Sequence, residues 1–212
     1  MKEIGRIKTM PIYHYTEKNA TQLLATKSRR IDISPYELSQ IHMEIGKFIS
    51  YELINEIDLE EYEINHPQGI KIGKRISDEK SIIILTFMRA GVYFGEGIRS
   101  IFQNAPFYFI APERGIGFSD IELSKLPSFR DKIVILVDSV INTGGTMFAV
   151  IEQIKEQNPK KILVACSVIP DTTVDIISEK YPEIFFYIFR VSTNKYVGKG
   201  KTDTGNRLFG TF

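Results

Sequence analysis

The sequence predicts an α/β fold: a parallel sheet flanked by helices, with an N-terminal helix and hairpin and a C-terminal hood. Three observations predict it. The short apolar runs SIIILTFM, Phe107 to Ala111, KIVILVD, KILVACSV and IFFYIF have the unbroken character of strands buried on both faces. Helical patterns lie between them near 92–104, 146–157 and 171–180, so strand and helix alternate as in βαβ units with right-handed crossovers. The tail from Val191, ending KYVGKGKTDTGNRLFGTF, is glycine-rich and polar, and reads as a long loop or hood rather than another βα unit.

The remaining elements follow from local signals. Ser34 is placed as an N-cap, with Pro35 at the first helical position and Glu37 closing a capping box. Leu38, Ile41, Ile45, Phe48 and Leu53 then recur at roughly helical spacing, so this helix buries one face to about Glu56. Residues 61–76 alternate around His66-Pro67-Gln68-Gly69, which predicts a β-hairpin. Asp171 is placed as the N-cap of the helix over 171–180. No internal repeat, low-complexity tract or linker interrupts the chain, and residues 1–212 read as one domain with its hood over about 191–212.

A chain of 212 residues is long enough to bury a substantial core, and 43% hydrophobic with 25% charged residues is an ordinary globular balance. Twenty-seven basic against 26 acidic side chains give a net charge of +1, which argues against nucleic acid as a partner. A local basic surface at Lys27, Arg29 and Arg30 reads most simply as a solvated face. The single cysteine, Cys166, excludes an intrachain disulfide and fits a reducing compartment. The start, MKEIGRIKTM, has no apolar core of signal-peptide length, and no apolar run approaches the roughly 20 residues of a membrane helix. A cytoplasmic protein with no membrane partner is the expectation. His14, His42 and His66 are scattered without metal-ligand spacing, so no protein metal site is assigned. His42 and Cys166 read as structural.

The stretch VILVDSVINTGGTMFAVIEQI carries the chemistry. An apolar strand runs into Asp138, and Thr143-Gly144-Gly145-Thr146 turns into a helix. Ligands of parallel α/β sheets sit at the carboxyl ends of the strands. Glycines admit a close backbone approach, and the first amides of a helix lack intrahelical partners. Together with the helix dipole and the threonine hydroxyls they form a phosphate cradle. Asp138 is suited to accept hydrogen bonds from sugar hydroxyls, so the pair fits a sugar phosphate. A plain glycine turn with a capping aspartate fits the same few residues. The P-loop pattern is absent, and the glycines lack the dinucleotide-binding spacing. A second corner, Arg89-Ala90-Gly91, follows SIIILTFM, and Arg114 follows another strand. Arginine suits bidentate contact with phosphate oxygens, so phosphate at both ends of a ribose is indicated.

These motifs resemble those of the phosphoribosyltransferases. VILVDSVINTGGTM resembles the ribose-phosphate signature of the type I fold. More narrowly, FMRAG is similar to the diphosphate loop of the uracil phosphoribosyltransferase family, DISPYELSQIHMEIGKFISYEL to its early helix, and KYVGKGKTDTGNRLFGT to its uracil-binding tail. The resemblance implies transfer of the phosphoribosyl group from 5-phosphoribosyl 1-diphosphate (PRPP) to uracil, giving UMP and pyrophosphate in pyrimidine salvage. It implies Arg89 and Arg114 at the diphosphate, Asp138 at the ribose hydroxyls and Asn142 to Thr146 at the 5-phosphate. The whole loop Asp138, Ser139, Val140, Ile141, Asn142, Thr143, Gly144, Gly145 and Thr146 is the implied PRPP segment, with Asp203 nearby. Val197, Thr202, Asp203 and Thr204 fall at the positions where backbone groups read the base. Mg2+ bound with PRPP and a homodimer are also implied.

The chain departs from the family pattern at several of these positions. Ser139 stands for proline and Asn142 for alanine, while Thr202 and Thr204 flank Asp203 in place of glycine and alanine. Lys199 and Lys201 replace uncharged residues, and GIGFSDIELSKLP lacks the acidic, tyrosine-rich look of the family's flexible flap. A different heterocyclic acceptor, or a non-catalytic regulator that binds PRPP or a nucleotide, therefore stands beside the uracil reading. Arg207-Leu208-Phe209-Gly210 is expected to anchor the hood.

Overall fold

The computed structural model describes residues 12–194 and 198–212. The chain opens with a short strand β1 (Ile12–His14), then α1 (Asn19–Arg29) and α2 (Pro35–Leu53). The capping box forms as expected. The Ser34 hydroxyl accepts from the Glu37 amide at 3.2 Å, and the Glu37 carboxylate accepts from the Ser34 amide at 3.1 Å. A single 3-10 turn then carries the chain to Glu56. The hairpin follows as β2 (Leu59–His66) and β3 (Gly69–Ile76), paired antiparallel with His66 opposite Gly69.

The main sheet then builds through β4 (Ile82–Phe87), α3 (Val92–Arg99), β5 (Phe107–Ile110), α4 (Asp120–Ser124), β6 (Ile133–Val140) and α5 (Gly145–Lys155). It finishes with β7 (Lys161–Pro170), α6 (Asp171–Lys180) and β8 (Phe185–Ser192), and a short helix α7 (Thr204–Phe209) lies in the tail. Six strands pair in the order β1-β8-β7-β6-β4-β5, every pair parallel. The apolar runs are continuous because alternate residues serve different layers. Ile83 and Leu85 of β4 join Val150, Ile151 and Ile154 of α5 on one face. Ile82 and Ile84 join Ile45 and Ile49 of α2 and Phe94 of α3 on the other. No described helix is long and apolar enough to cross a membrane.

Some expected boundaries move. β6 does not end at Asp138: it continues two residues, with Val140 in register with Val168 of β7. The N-cap of α6 is Pro170, and Asp171 is its first residue, whose carboxylate accepts from the Thr172 amide at 2.7 Å. α3 stops at Arg99 rather than near 104. The tail is not all loop, since Asp203 caps α7 by accepting from the Asn206 amide at 2.8 Å.

The strand order places the site. From β4 the chain moves to β5 at one edge, whereas β6, β7 and β8 proceed toward the other. The direction of winding reverses between β4 and β6, and the crevice outside the carboxyl ends of two such strands is where an open α/β sheet binds ligands.

Candidate active site

Six of the residues singled out in the sequence come together in this crevice. A cavity of about 400 Å³ is lined by Arg89 after β4, Arg114 after β5, Asp138 and Val140 of β6, Asn142, and Asp203 of the tail. Its lining carries two arginines, suited to anions, and two aspartates, suited to hydroxyl donors.

Asp138 is held by its strand. Its Oδ1 accepts from the Val140 amide at 3.3 Å, and burial pushes its carboxyl up to about 7. A carboxyl in that range is partly protonated when the site is empty and gains from hydroxyl donors that favour its charged form. Because β6 continues past it, the next side chain points to the opposite face of the sheet. Ser139 is accordingly fully buried, its hydroxyl 3.1 Å from Nδ1 of His42 on α2. Ile141 is buried in the core, so Ile141 has only its main chain to offer a ligand.

The loop that follows is fastened at its start. The Ile141 amide donates to the Val168 carbonyl at 3.2 Å, and the Thr173 hydroxyl donates to the Asn142 carbonyl. Thr143 is exposed, and Gly144 serves as the N-cap of α5 with φ of 80°, the left-handed region. A Cβ built on Gly144 would lie 2.2 Å from the Phe148 ring, so both conformation and space require glycine. Gly145 is the first residue of α5, exposed, with its amide among those that lack an intrahelical partner. Thr146 follows, half-buried. The turn and helix start expected from the sequence are therefore present.

Arg89 reaches the tail. Its guanidinium donates to Asn206 Oδ1 at 2.7 Å and to the Thr211 hydroxyl at 3.1 Å. Asn206 and Thr211 are partners of Arg89 that residue-by-residue reading missed, since nothing local signals a contact across more than a hundred residues. The tail is anchored as expected. Arg207 donates to the carbonyls of Ser28 at 3.0 Å and Arg30 at 2.9 Å, Leu208 is buried, and Phe209 stacks on Tyr93. The segment after Arg114 is also tied down: Gln153 of α5 accepts from the Phe118 amide at 2.8 Å and donates to its carbonyl at 2.9 Å.

Of the residues placed at the base, Val197 lies outside the described residues. Thr202 and Thr204 line a second cavity of about 400 Å³, which shares Val140 with the first. The Thr202 hydroxyl folds back on its own 3-10 turn, donating to the Lys199 carbonyl at 2.9 Å, so it leaves the second cavity open. His42 and Ser139 also line this cavity. Burial, and after it the charge of Arg207, lowers the pKa of His42 to about 4, so the ring is neutral near pH 7. Arg190 of β8 lies there too. Its signal was in the sequence, as the one charge closing the apolar run IFFYIF.

A doubly wound parallel sheet, with a glycine turn into a helix and a buried acid at its winding reversal, has the architecture of the type I phosphoribosyltransferase class. A family model described as uracil phosphoribosyltransferase matches residues 15–211. The chain belongs to the uracil phosphoribosyltransferase family. It is 27% identical over 208 residues to the uracil phosphoribosyltransferase of Thermococcus sibiricus, covering 94% of this chain and 90% of the relative. The corresponding protein of Pyrococcus furiosus is 26% identical over 208 residues, with the same coverage. Among solved structures, a protein of Aquifex aeolicus superposes with a TM-score of 0.77 at 25% identity, covering 94% of this chain and 98% of that one.

Proposed function

We propose that the chain transfers the 5-phosphoribosyl group from PRPP to uracil, releasing pyrophosphate and forming UMP. One observation carries the reading: Arg89, Arg114, Asp138 and Asp203 line one cavity, and Val140 joins it to a second cavity walled by Thr202 and Thr204. Donor and acceptor thus have adjoining chambers. The amides and hydroxyls from Asn142 to Thr146 hold the 5-phosphate at the start of α5. Arg89 and Arg114 hold the diphosphate. Asp138 accepts hydrogen bonds from the ribose hydroxyls. The base nitrogen attacks the anomeric carbon as its bond to the diphosphate oxygen breaks, and the base proton passes to solvent. Positive charge develops on the ribose in this step, and the Asp138 carboxylate stabilises it.

The same residues fit a magnesium ion brought with PRPP. Among the described residues no three His, Cys, Asp or Glu side chains gather into a cage, while Asp138 and Asp203 face the diphosphate cavity. Two acids fit an ion that takes most of its oxygens from diphosphate and water. The ion would neutralise part of the leaving group's charge.

A homodimer is part of the proposal. The β2–β3 hairpin forms a separate two-stranded sheet and exposes Leu59, Tyr62, Ile70 and Ile72, apolar surface that a second copy would cover. So is a cytoplasmic location, in keeping with the unpaired, buried Cys166. Pyrophosphate release from PRPP and uracil with magnesium tests the central reading. Release that disappears in Asp138→Asn supports it. Saturable PRPP binding without turnover on a panel of bases would replace it with a sensor. Sedimentation velocity tests the dimer, and a monomer would refute that part.

A further inference from the structure

The second cavity carries more positive charge than a neutral base can use. Arg29 of α1, Arg190 of β8 and Arg207 of α7 all line it, and no carboxylate among its described lining residues answers them. Among the described residues, the Arg29 and Arg207 side chains donate only to neutral backbone carbonyls, Arg29 to that of Ala25 at 3.0 Å. Those bonds satisfy N–H directions and leave the charges uncompensated. Arg190 is half-buried and, among the described residues, makes no side-chain hydrogen bond or ion pair. Burial, and then the like charge of Arg29, lowers its pKa from the ordinary arginine value, yet an arginine stays protonated at neutral pH. A desolvated cation beside a second cation is costly unless a negative group joins them. The serine hydroxyls of residues 28, 167 and 192 in the same wall supply further donors.

Size points the same way. A volume of about 400 Å³ lies in the range of sites for small molecules larger than one six-membered ring. Val140, Thr202 and Thr204 mark the side toward the ribose, so an acceptor ring placed at Val140 leaves the arginine wall to any substituent it carries.

Resting on the phosphoribosyl-transfer reading, we infer that the preferred acceptor is an anionic pyrimidine: a uracil ring bearing a carboxylate that meets Arg190, Arg29 and the serine hydroxyls. The reaction balances as before. The ring nitrogen bonds to the anomeric carbon, diphosphate leaves with the bonding electron pair, and the carboxylate is retained in the product.

The test uses the full-length protein with magnesium and PRPP, and follows pyrophosphate release with uracil, uracil-5-carboxylate and uracil-6-carboxylate. One carboxylated base is expected to exceed uracil in kcat/KM by at least about tenfold, the scale of a hydrogen bond to a charged group. Arg190→Gln should lower that selectivity ratio roughly ten- to hundred-fold, and Arg190→Lys should restore part of it. Arg29→Gln, on an exposed side chain, gives a second reading should Arg190→Gln fail to fold. Turnover with uracil alone, or a ratio indifferent to both glutamine variants, overturns the inference and leaves the transferase reading intact. No pyrophosphate release with any base refutes the transferase reading instead. Calorimetry with each carboxylated base alone then decides the cavity: binding weakened by Arg190→Gln supports an anion site, and no binding overturns it. Inorganic phosphate as competitor separates the two anion sources, since tighter binding of phosphate than of either carboxylated base would overturn a carboxylate site.

Discussion

Arg89 and Asn206 are joined by a 2.7 Å hydrogen bond, from the guanidinium at the end of β4 to the side-chain amide oxygen on α7. Thr211 completes the clasp, accepting from Arg89 at 3.1 Å and donating to Asn206 at 3.2 Å. Arg89, which the proposed function places at the diphosphate, is therefore oriented by the same tail that lines the second cavity. Asn206→Ala should lower kcat/KM for PRPP about ten- to hundred-fold, the scale of a lost hydrogen bond to a charged group. Steady-state kinetics with PRPP as the varied substrate checks this. An unchanged kcat/KM would mean that the clasp only fastens the tail.

Asp138 couples function to pH. Burial raises its carboxyl from the ordinary 3.8 to about 7, so between those values the folded protein holds a proton that the unfolded chain has released. The stability from this group is complete below about pH 3.8 and is lost as pH rises through about 7. Asp138→Asn should thus melt higher than the parent at pH 8, with the gap narrowing as pH falls below about 7 and closing only below about 3.8. Activity has the opposite slope, because the ribose hydroxyls need the ionised form. In the parent, kcat/KM for PRPP should rise with pH through about 7, while Asp138→Asn should lack that rise and lie about 100-fold or more below the parent above pH 7. A flat melting difference or a flat kcat/KM profile would count against this assignment.

The parallel strands were legible because burial on both faces leaves an unbroken apolar run. α2 was legible because its capping box is a local signal. What escaped had weaker or non-local signals. β1 is three residues long and nowhere buried, and α1 buries only Thr21 and Ala25, so neither shows a clear period. α7 hid among glycines, although Asp203 was there to cap it. The corner at Asp138 was readable as chemistry because the acid, the glycines and the helix start are contiguous. The wall of the second cavity was not, since Arg29, His42, Arg190 and Arg207 come from four separate elements. Sequence order does not reveal which of their faces meet.

His42 supplies an acid-side prediction. Its pKa falls from 6.5 to about 4 because burial, and then Arg207, disfavour the charged ring. A depressed group contributes stability that is present above pH 6.5 and lost as pH falls through about 4. The protein should weaken steeply across that window, and His42→Gln, which has no proton to gain, should weaken less. Urea midpoints at intervals between pH 7 and 4 measure both slopes. Parallel slopes would show that other groups govern the acid side.

The two glycines of the cradle separate a ligand site from a mere turn. Gly144 has φ of 80° and no room beside Phe148, so Gly144→Ala forces both strain and repacking. It should cost at least about 1–3 kcal/mol and lower Tm by several degrees. Gly145 differs: its φ is not left-handed, and an added Cβ would meet no protein atom closer than 3.9 Å. Alanine there should keep or raise stability by up to about 1 kcal/mol, since glycine is the poorer helix former. Yet if the 5-phosphate rests on this turn, that same Cβ intrudes on the phosphate rather than on the protein. Gly145→Ala should therefore raise KM for PRPP about tenfold or more while leaving Tm unchanged or higher, a loss comparable to one charge-assisted hydrogen bond. Calorimetry of PRPP binding beside a thermal melt reads both quantities. Undiminished affinity in that variant would remove the phosphate from this turn and leave Gly145 as a plain helix start.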